Sequence, residues 1–261
     1  MKLSQNTILI TGGGSGIGLA LAEALKAEGN VVIVAGRSAE KLKLAATKGL
    51  HTLSVNLLDV ASIYDFAKKA VADFPSLNVV IHNAGVMMNE KLISRDQSKI
   101  ALETIATNLT APIILTNALL PHFLIQQSAA IVTVTSGLAF VPLVMCPTYS
   151  ASKAAIHSYT QSLRYQLKDT AIEVKELVPP YVRTSLMGAR QANDQNAMDL
   201  KDFVKEVMLI LKEDPSGPEV LVKRVIPQRT AADLGPEKYN EFFELQTEVL
   251  MNARKAEWEA L

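Results

Sequence analysis

One cysteine stands in 261 residues, so the chain cannot close an internal disulfide, and a reducing compartment suits it best. Cys146 has no histidine near it in sequence and reads as a small, semi-buried side chain. Histidine is also sparse. His51, His82, His122 and His157 show no metal-ligand spacing with one another or with Cys146, so no metal is expected. Excess charge is missing, with 26 basic and 26 acidic side chains, which leaves no electrostatic case for nucleic acid or an anionic membrane as partner. No apolar run is long enough to span a bilayer and the first residues show no signal-peptide pattern, so a cytoplasmic location is expected. Repeats, low-complexity tracts and linkers are absent as well, and a single domain over residues 1–261 is expected.

What is present is alternation. Short apolar, β-branched runs at residues 7–10, 31–35, 50–55, 79–82, 130–135 and 173–178 read as strands buried on both faces, with a last strand at 219–225. Helical patterns lie between and after them at 17–27, 39–47, 62–73, 100–127, 148–167, 200–212 and 237–258. Asp59 can cap the third helix, Glu28-Gly29-Asn30 ends the first, and Pro112 and Pro121 should divide or kink the stretch 100–127. Such βαβ alternation implies an α/β fold, a single-domain Rossmann-type doubly wound parallel sheet of about seven strands with helices on both faces. Residues 184–197 have no clear period, and a segment near 184–212 is expected to cover a substrate.

Thr11 to Gly18 reads T-G-G-G-S-G-I-G directly after the first strand. Gly12, Gly16 and Gly18, with Ser15 and Ile17 between them, can bring backbone N–H groups against a pyrophosphate at the positive end of a helix. Taken alone, three glycines could equally form a tight connection. The second strand ends Val34-Ala35-Gly36-Arg37-Ser38, with no acid before Glu40 to accept the ribose 2′-OH of NAD. Arg37 offers a guanidinium fork to a 2′-phosphate and Ser38 a further hydrogen bond, so NADP is preferred over NAD. An ordinary surface arginine is the plainer alternative. Asn56 and Leu57 can hold an adenine edge. Asn83, in His82-Asn83-Ala84-Gly85, either ties strands together or lines the cofactor site.

Tyr149 and Lys153 are four residues apart on a helical pattern and so share a face, and Ser136 ends the preceding strand. A phenol is a poor acid–base catalyst at neutral pH, and the Lys153 ammonium together with a cationic nicotinamide should lower its pKa. Ser136 can hydrogen-bond a substrate carbonyl. A second Y-x-x-x-K, Tyr64 and Lys68, lacks a serine partner and reads as a solvated helix face.

These residues, in this order, resemble the short-chain dehydrogenase/reductase family over nearly the whole chain. Thr11 to Gly18 is similar to its glycine motif and His82 to Gly85 to its N-N-A-G segment. Asn108, Ser136, Tyr149 and Lys153 resemble its catalytic tetrad. The resemblance implies that Tyr149 donates the proton, Ser136 positions the carbonyl, and Lys153 tunes Tyr149 and binds ribose. It also implies that Asn108 holds a water leading from Lys153 to solvent, although a plain polar helix residue would look the same. Ala84, Gly85 and Pro179 would line the cofactor site, and Thr184 and the Val182 backbone would meet the nicotinamide carboxamide. The stretches 135–140 and 178–184 resemble the DltE-type oxidoreductase branch. Asn56, His82 and Pro180 depart from the family pattern at the adenine, in the N-N-A-G segment and beside the nicotinamide. The family pairs its two central helices, here 102–127 and 148–167, so the resemblance implies a homodimer or homotetramer.

The segments 86–88 and 138–145, with Leu186 and Met187, are apolar and suit an apolar ketone, aldehyde or alcohol, while Arg183 and Arg190 leave an acidic substrate open. The leading expectation is NADP-dependent hydride transfer on a small carbonyl or alcohol compound. The alternatives are an NADP(H)-binding regulator or sensor with little turnover, and a scaffold that binds no cofactor.

Overall fold

The computed structural model describes residues 1–94 and 96–259. Seven parallel strands are β1 Thr7–Thr11, β2 Val31–Gly36, β3 His51–Ser54, β4 Leu77–His82, β5 Ala129–Val134, β6 Ile172–Val178 and β7 Glu219–Leu221. Their order is β3-β2-β1-β4-β5-β6-β7. The chain winds outward from β1 in one direction and from β4 in the other. This reversal opens a crevice beyond the carboxyl ends of β1 and β4, where an open α/β sheet takes its ligand. The doubly wound sheet is as the sequence implied.

The helices are α1 Gly16–Ala27, α2 Ala39–Thr47, α3 Val60–Asp73, α4 Ser98–Ile105, α5 Ala111–Phe123, α6 Pro147–Gln166, α7 Ala189–Asn193, α8 Leu200–Glu213, α9 Ile226–Arg229, α10 Pro236–Ala253 and α11 Lys255–Glu259. Along β1 the side chains alternate between two cores. Ile8 and Ile10 pack with Leu21 and Leu25 of α1 and Phe203 of α8, while Leu9 packs with Phe66 of α3 and with Leu119 and Phe123 of α5. Each such aliphatic side chain contributes about 1.5–3 kcal/mol by leaving water. Side-chain caps set three helix starts: Ser38 Oγ accepts from Lys41 N at 3.3 Å, Asp59 Oδ1 from Ala61 N at 3.0 Å and Asp199 Oδ1 from Lys201 N at 2.8 Å.

Three local expectations are corrected, and a fourth, the division of 100–127, is borne out at Pro112 but not at Pro121, which lies inside α5. The stretch 100–127 is α4, then a wide π turn at Ala106–Thr110, then α5 ending at Phe123. Pro112 has no N–H to give the carbonyl of Asn108, so the helix widens there and Ala111 N bonds Ala106 O instead. The last strand stops at Leu221, and Lys223–Val225 is a 3₁₀ turn that carries the chain off the sheet edge. The terminal helix breaks at Arg254. Finally, α8 is not part of a cover: Phe203, Val204, Val207 and Leu211 bury its apolar stripe in the core beside α1. Among the described residues no helix is long and apolar enough to cross a membrane.

Candidate active site

The glycine turn is held from below by β4. Asn83 Nδ2 donates to Thr11 O at 3.0 Å and Gly12 O at 3.3 Å, and Thr11 Oγ1 accepts from the backbone N–H groups of Asn83 and Ala84, both at 3.1 Å. Gly12 has φ +67°, and a Cβ there would lie 2.7 Å from Ala84 Cα. A Cβ on Gly18 would lie 2.4 Å from Asn83 Nδ2. Both positions therefore need glycine for close approach, and Gly12 for its left-handed backbone as well. Asn83 does both things the sequence allowed: it ties the turn to the sheet and lines the cavity above it.

That cavity, of about 840 Å³, runs along the carboxyl edge of the sheet. At one end lie Gly36, Arg37 and Ser38 from the end of β2. The sequence reading missed a second cation here. Lys41, one turn into α2, reaches Ser15 Oγ at 3.4 Å and lines the same end of the cavity as Arg37. Its signal was its place four residues after Arg37, on the side of α2 that faces the glycine turn. Leu57, with Val55 and Leu58, lines an apolar wall nearby. Asn56 is exposed and outside that lining, its Oδ1 accepting from Leu58 N at 3.2 Å within its own turn.

Ser15, Gly16, Ile17, Ala84, Gly85, Pro179, Val182 and Thr184 line the middle, whereas Gly18 packs under it. Val182 O and Thr184 Oγ1 are held by Gln191 Nε2 at 2.8 and 3.3 Å, so α7 fixes the segment that crosses the cavity. Thr107, in the π turn, lines the cavity, and its buried Oγ1 has no hydrogen-bond partner among the described residues.

Ser136, Tyr149 and Lys153 converge at the far end. Ser136 follows β5 in extended conformation and accepts from Leu138 N at 3.1 Å, which fixes its hydroxyl. Tyr149 and Lys153 lie on one face of α6, with Lys153 Nζ 5.5 Å from the Tyr149 ring centre and donating to Val134 O at 2.8 Å. Burial pushes the Tyr149 phenol up, with the Ser136 hydrogen bond only partly offsetting it, and pushes Lys153 down to about 8, opposed by the charge of Glu176. Desolvation is the largest influence on both groups.

Glu176 was not singled out by sequence. It is completely buried on β6, accepts from Thr135 Oγ1 at 2.7 Å, and faces His157 Nδ1 at 2.8 Å. His157 is one turn beyond Lys153 on α6. Glu219 lies close enough to complete a three-ligand group with His157 and Glu176, but Arg229 Nε already binds both its oxygens at 3.1 and 3.2 Å. Asn108 sits in the π turn, its Oδ1 accepting from Val86 N and its Nδ2 donating to Val86 O, both at 2.9 Å. Nδ2 also reaches Ser152 Oγ at 3.1 Å. The Asn108 side chain thus joins the β4 end to α6, and its backbone carbonyl is the group that Pro112 leaves without the ordinary helical donor.

The apolar wall at this end comes from Val86, Met87, Leu138, Leu143, Leu186 and Met187. Val141 and Met145, which the sequence grouped with them, are core. The larger omission was α10, whose Phe242, Leu245, Gln246, Val249 and Leu250 roof the cavity. The helix is pinned by Tyr239 Oη to Phe140 O at 3.0 Å and by Gln228 Nε2 to Gln246 Oε1 at 3.1 Å. Nothing in the pattern of residues 237–258 marked it as a roof rather than as a terminal helix.

Cys146 is buried and its thiol is pushed up to about 12 by desolvation, so it is inert. His82 is a neutral core residue, pushed down to about 3 by burial and bonded to Thr116 Oγ1 at 2.9 Å. Tyr64 and Lys68 are exposed on α3, as a solvated face should be.

A glycine-lined crevice at the switch point, joined to a Ser-Tyr-Lys cluster, defines the class: a dinucleotide-fold oxidoreductase. The chain belongs to the short-chain dehydrogenase/reductase family, whose model, described as short chain dehydrogenase, matches residues 6–195. It is 42% identical over 189 residues to the uncharacterized oxidoreductase DltE of Bacillus subtilis (strain 168), covering 71% of this chain and 75% of that protein. This places it in the DltE-type branch. The fold matches a short chain dehydrogenase from Burkholderia cenocepacia J2315 in complex with NADP (TM-score 0.80, 20% identity, 93% and 99% of the two chains covered). It also matches one from Burkholderia phymatum in complex with NAD (TM-score 0.75, 20% identity, 94% and 97% covered). The roof helix α10 lies beyond the stretch that the family model matches.

Proposed function

We propose that this oxidoreductase uses NADP(H) to interconvert an apolar carbonyl compound and its alcohol, with Tyr149 as the general acid and base. The observation that carries the reading is one continuous cavity with Arg37 and Lys41 at one end and Ser136, Tyr149 and Lys153 at the other. Two cations where an NAD site would carry an acid suit a 2′-phosphate, and the glycine turn gives backbone N–H groups room to meet a pyrophosphate. The NADP reported with the Burkholderia cenocepacia relative supports this choice, and the NAD of the Burkholderia phymatum relative makes it one to test.

When bound, a nicotinamide supplies hydride exchange. This chain's residues handle the oxygen and the proton. Ser136 Oγ donates to the substrate carbonyl oxygen, and Tyr149 Oη passes its proton to that oxygen as negative charge develops there. Lys153, charged below about pH 8, stabilises the resulting phenolate. The apolar walls and α10 exclude water and strengthen each of these interactions. A homodimer or homotetramer is the assembly that the family's pairing of its central helices implies.

The test is fluorescence titration of the wild type and Arg37→Ala with NADPH and NADH. Wild-type preference for NADPH, lost by about tenfold or more in Arg37→Ala while NADH binding is little changed, is the expected result. Equal weakening of both cofactors would overturn the 2′-phosphate reading, and binding of neither would remove the oxidoreductase mechanism.

A further inference from the structure

Arg254 closes the substrate end of the cavity and is almost completely buried, at 6% exposure. Buried guanidinium groups are normally paired with an anion, because an uncompensated charge in a dry site is costly. Arg254 has no carboxylate within 4.0 Å among the described residues. Its Nη2 donates to Tyr181 Oη at 3.2 Å, its Nη1 lies 4.0 Å from Met187 Sδ, and its Cζ lies 5.6 Å from the Tyr181 ring centre.

Nearby acids are committed elsewhere. Glu257 binds Arg190 and accepts from Asn89 Nδ2 at 2.6 Å, while Asp194 accepts from Tyr181 Oη at 3.0 Å and so meets Arg254 only through that hydroxyl, its carboxylate beyond 4.0 Å. Arg183 and Arg190, the arginines that sequence left open for an acidic substrate, are also committed, Arg183 to Asp199 at 3.4 Å and Arg190 to Glu257 and Ala253 O. Among the described residues at this end of the cavity, Arg254 is the arginine with donors to spare.

Its position fits a substrate rather than a cofactor phosphate. Leu250, one turn earlier on α10, packs in the cluster that contains Tyr149, Leu143 and Cys146. Arg37 and Lys41 occupy the opposite end. Between Arg254 and Tyr149 the walls are apolar, formed by Met87, Met187 and Leu250.

We propose that Arg254 binds the carboxylate of an otherwise apolar substrate, so that the natural compound is an oxo acid or hydroxy acid whose apolar body spans from the guanidinium to Ser136 and Tyr149. The proposal rests on the oxidoreductase reading for its reaction, but not for the anion site. A planar carboxylate takes two parallel N–H donors from one guanidinium, and enclosure by α10 makes those bonds stronger than they would be in water.

Calorimetric titration with decanoate and with methyl decanoate, each with and without saturating NADPH, tests it. Decanoate is expected to bind the wild type at least about tenfold more tightly than the ester. Arg254→Gln should weaken decanoate by about 10–100-fold and leave the ester and the NADPH affinity unchanged, and Arg254→Lys should recover part of the loss. Equal affinity for acid and ester, failure of both to bind, or equal weakening of both by Arg254→Gln would overturn the site. Failure of NADPH to bind would strike the oxidoreductase reading alone, because the acid–ester comparison without cofactor still reports on Arg254.

Discussion

His157 Nδ1 lies 2.8 and 2.9 Å from the two carboxylate oxygens of Glu176, a fully buried acid one strand away from the Ser136 loop. The pair matters because His157 and Lys153 occupy successive turns of α6, and the Glu176 charge raises the affinity of Lys153 for its proton against the effect of burial. Glu176 is a positioning residue, acting through Lys153 and through Thr135, the neighbour of Ser136.

Glu176→Gln keeps the shape and an acceptor for Thr135 while deleting the charge. Desolvation of Lys153 is then opposed by less, so its pKa falls from about 8. Lys153 assists while protonated, so kcat/KM for carbonyl reduction is expected to decline on the alkaline side. In Glu176→Gln that decline should begin at lower pH. A pH–rate profile checks it, and an unmoved alkaline limb would reduce Glu176 to a packing role.

Tyr149→Phe removes the only hydroxyl assigned to proton transfer and leaves the ring in its cluster with Leu143 and Met145. Reduction should fall by about 10²–10⁴-fold in kcat. NADPH affinity, measured by fluorescence, should stay close to the wild-type value. Loss of both together would mean that the ring organises the cofactor site and that the acid lies elsewhere.

Gly18→Ala tests the close approach beneath the glycine turn. Its Cβ would lie 2.4 Å from Asn83 Nδ2 and 2.6 Å from Gly12 O, and neither can retreat without breaking the tie to Thr11. A loss of about 1–3 kcal/mol is expected. Gly36→Ala meets nothing within 4 Å and should change stability by no more than about 0.5 kcal/mol. Thermal or denaturant unfolding of the two variants compares them directly, and equal melting would deny the steric role of Gly18.

Local pattern was enough for much of this protein. Central strands buried on both faces carry apolar, β-branched runs, so the seven strands and their order of appearance were legible, as was the strand-to-helix glycine turn; β3, expected to be buried on both faces, is instead an edge strand with His51 and Ser54 exposed. Tyr149 and Lys153 were legible for the same reason, since a spacing of four fixes a shared helix face whatever surrounds it. The π turn at 106–110 was half legible: Pro112 announced a break, but the sequence could not show that the helix would widen and continue.

Tertiary structure decided the rest, because each remaining feature depends on segments distant in the chain. The direction of the Tyr149 and Lys153 shifts follows from how much water is excluded around them, which spacing alone does not encode. Glu176 read as one charged residue in a strand until β6 placed it beneath α6. Arg254 carried no signal in the sequence, and only the return of α10 over the cavity encloses it. Chain pattern set the strands, the glycine turn and the Tyr-Lys face; the packing of distant segments decided which charges were left without water.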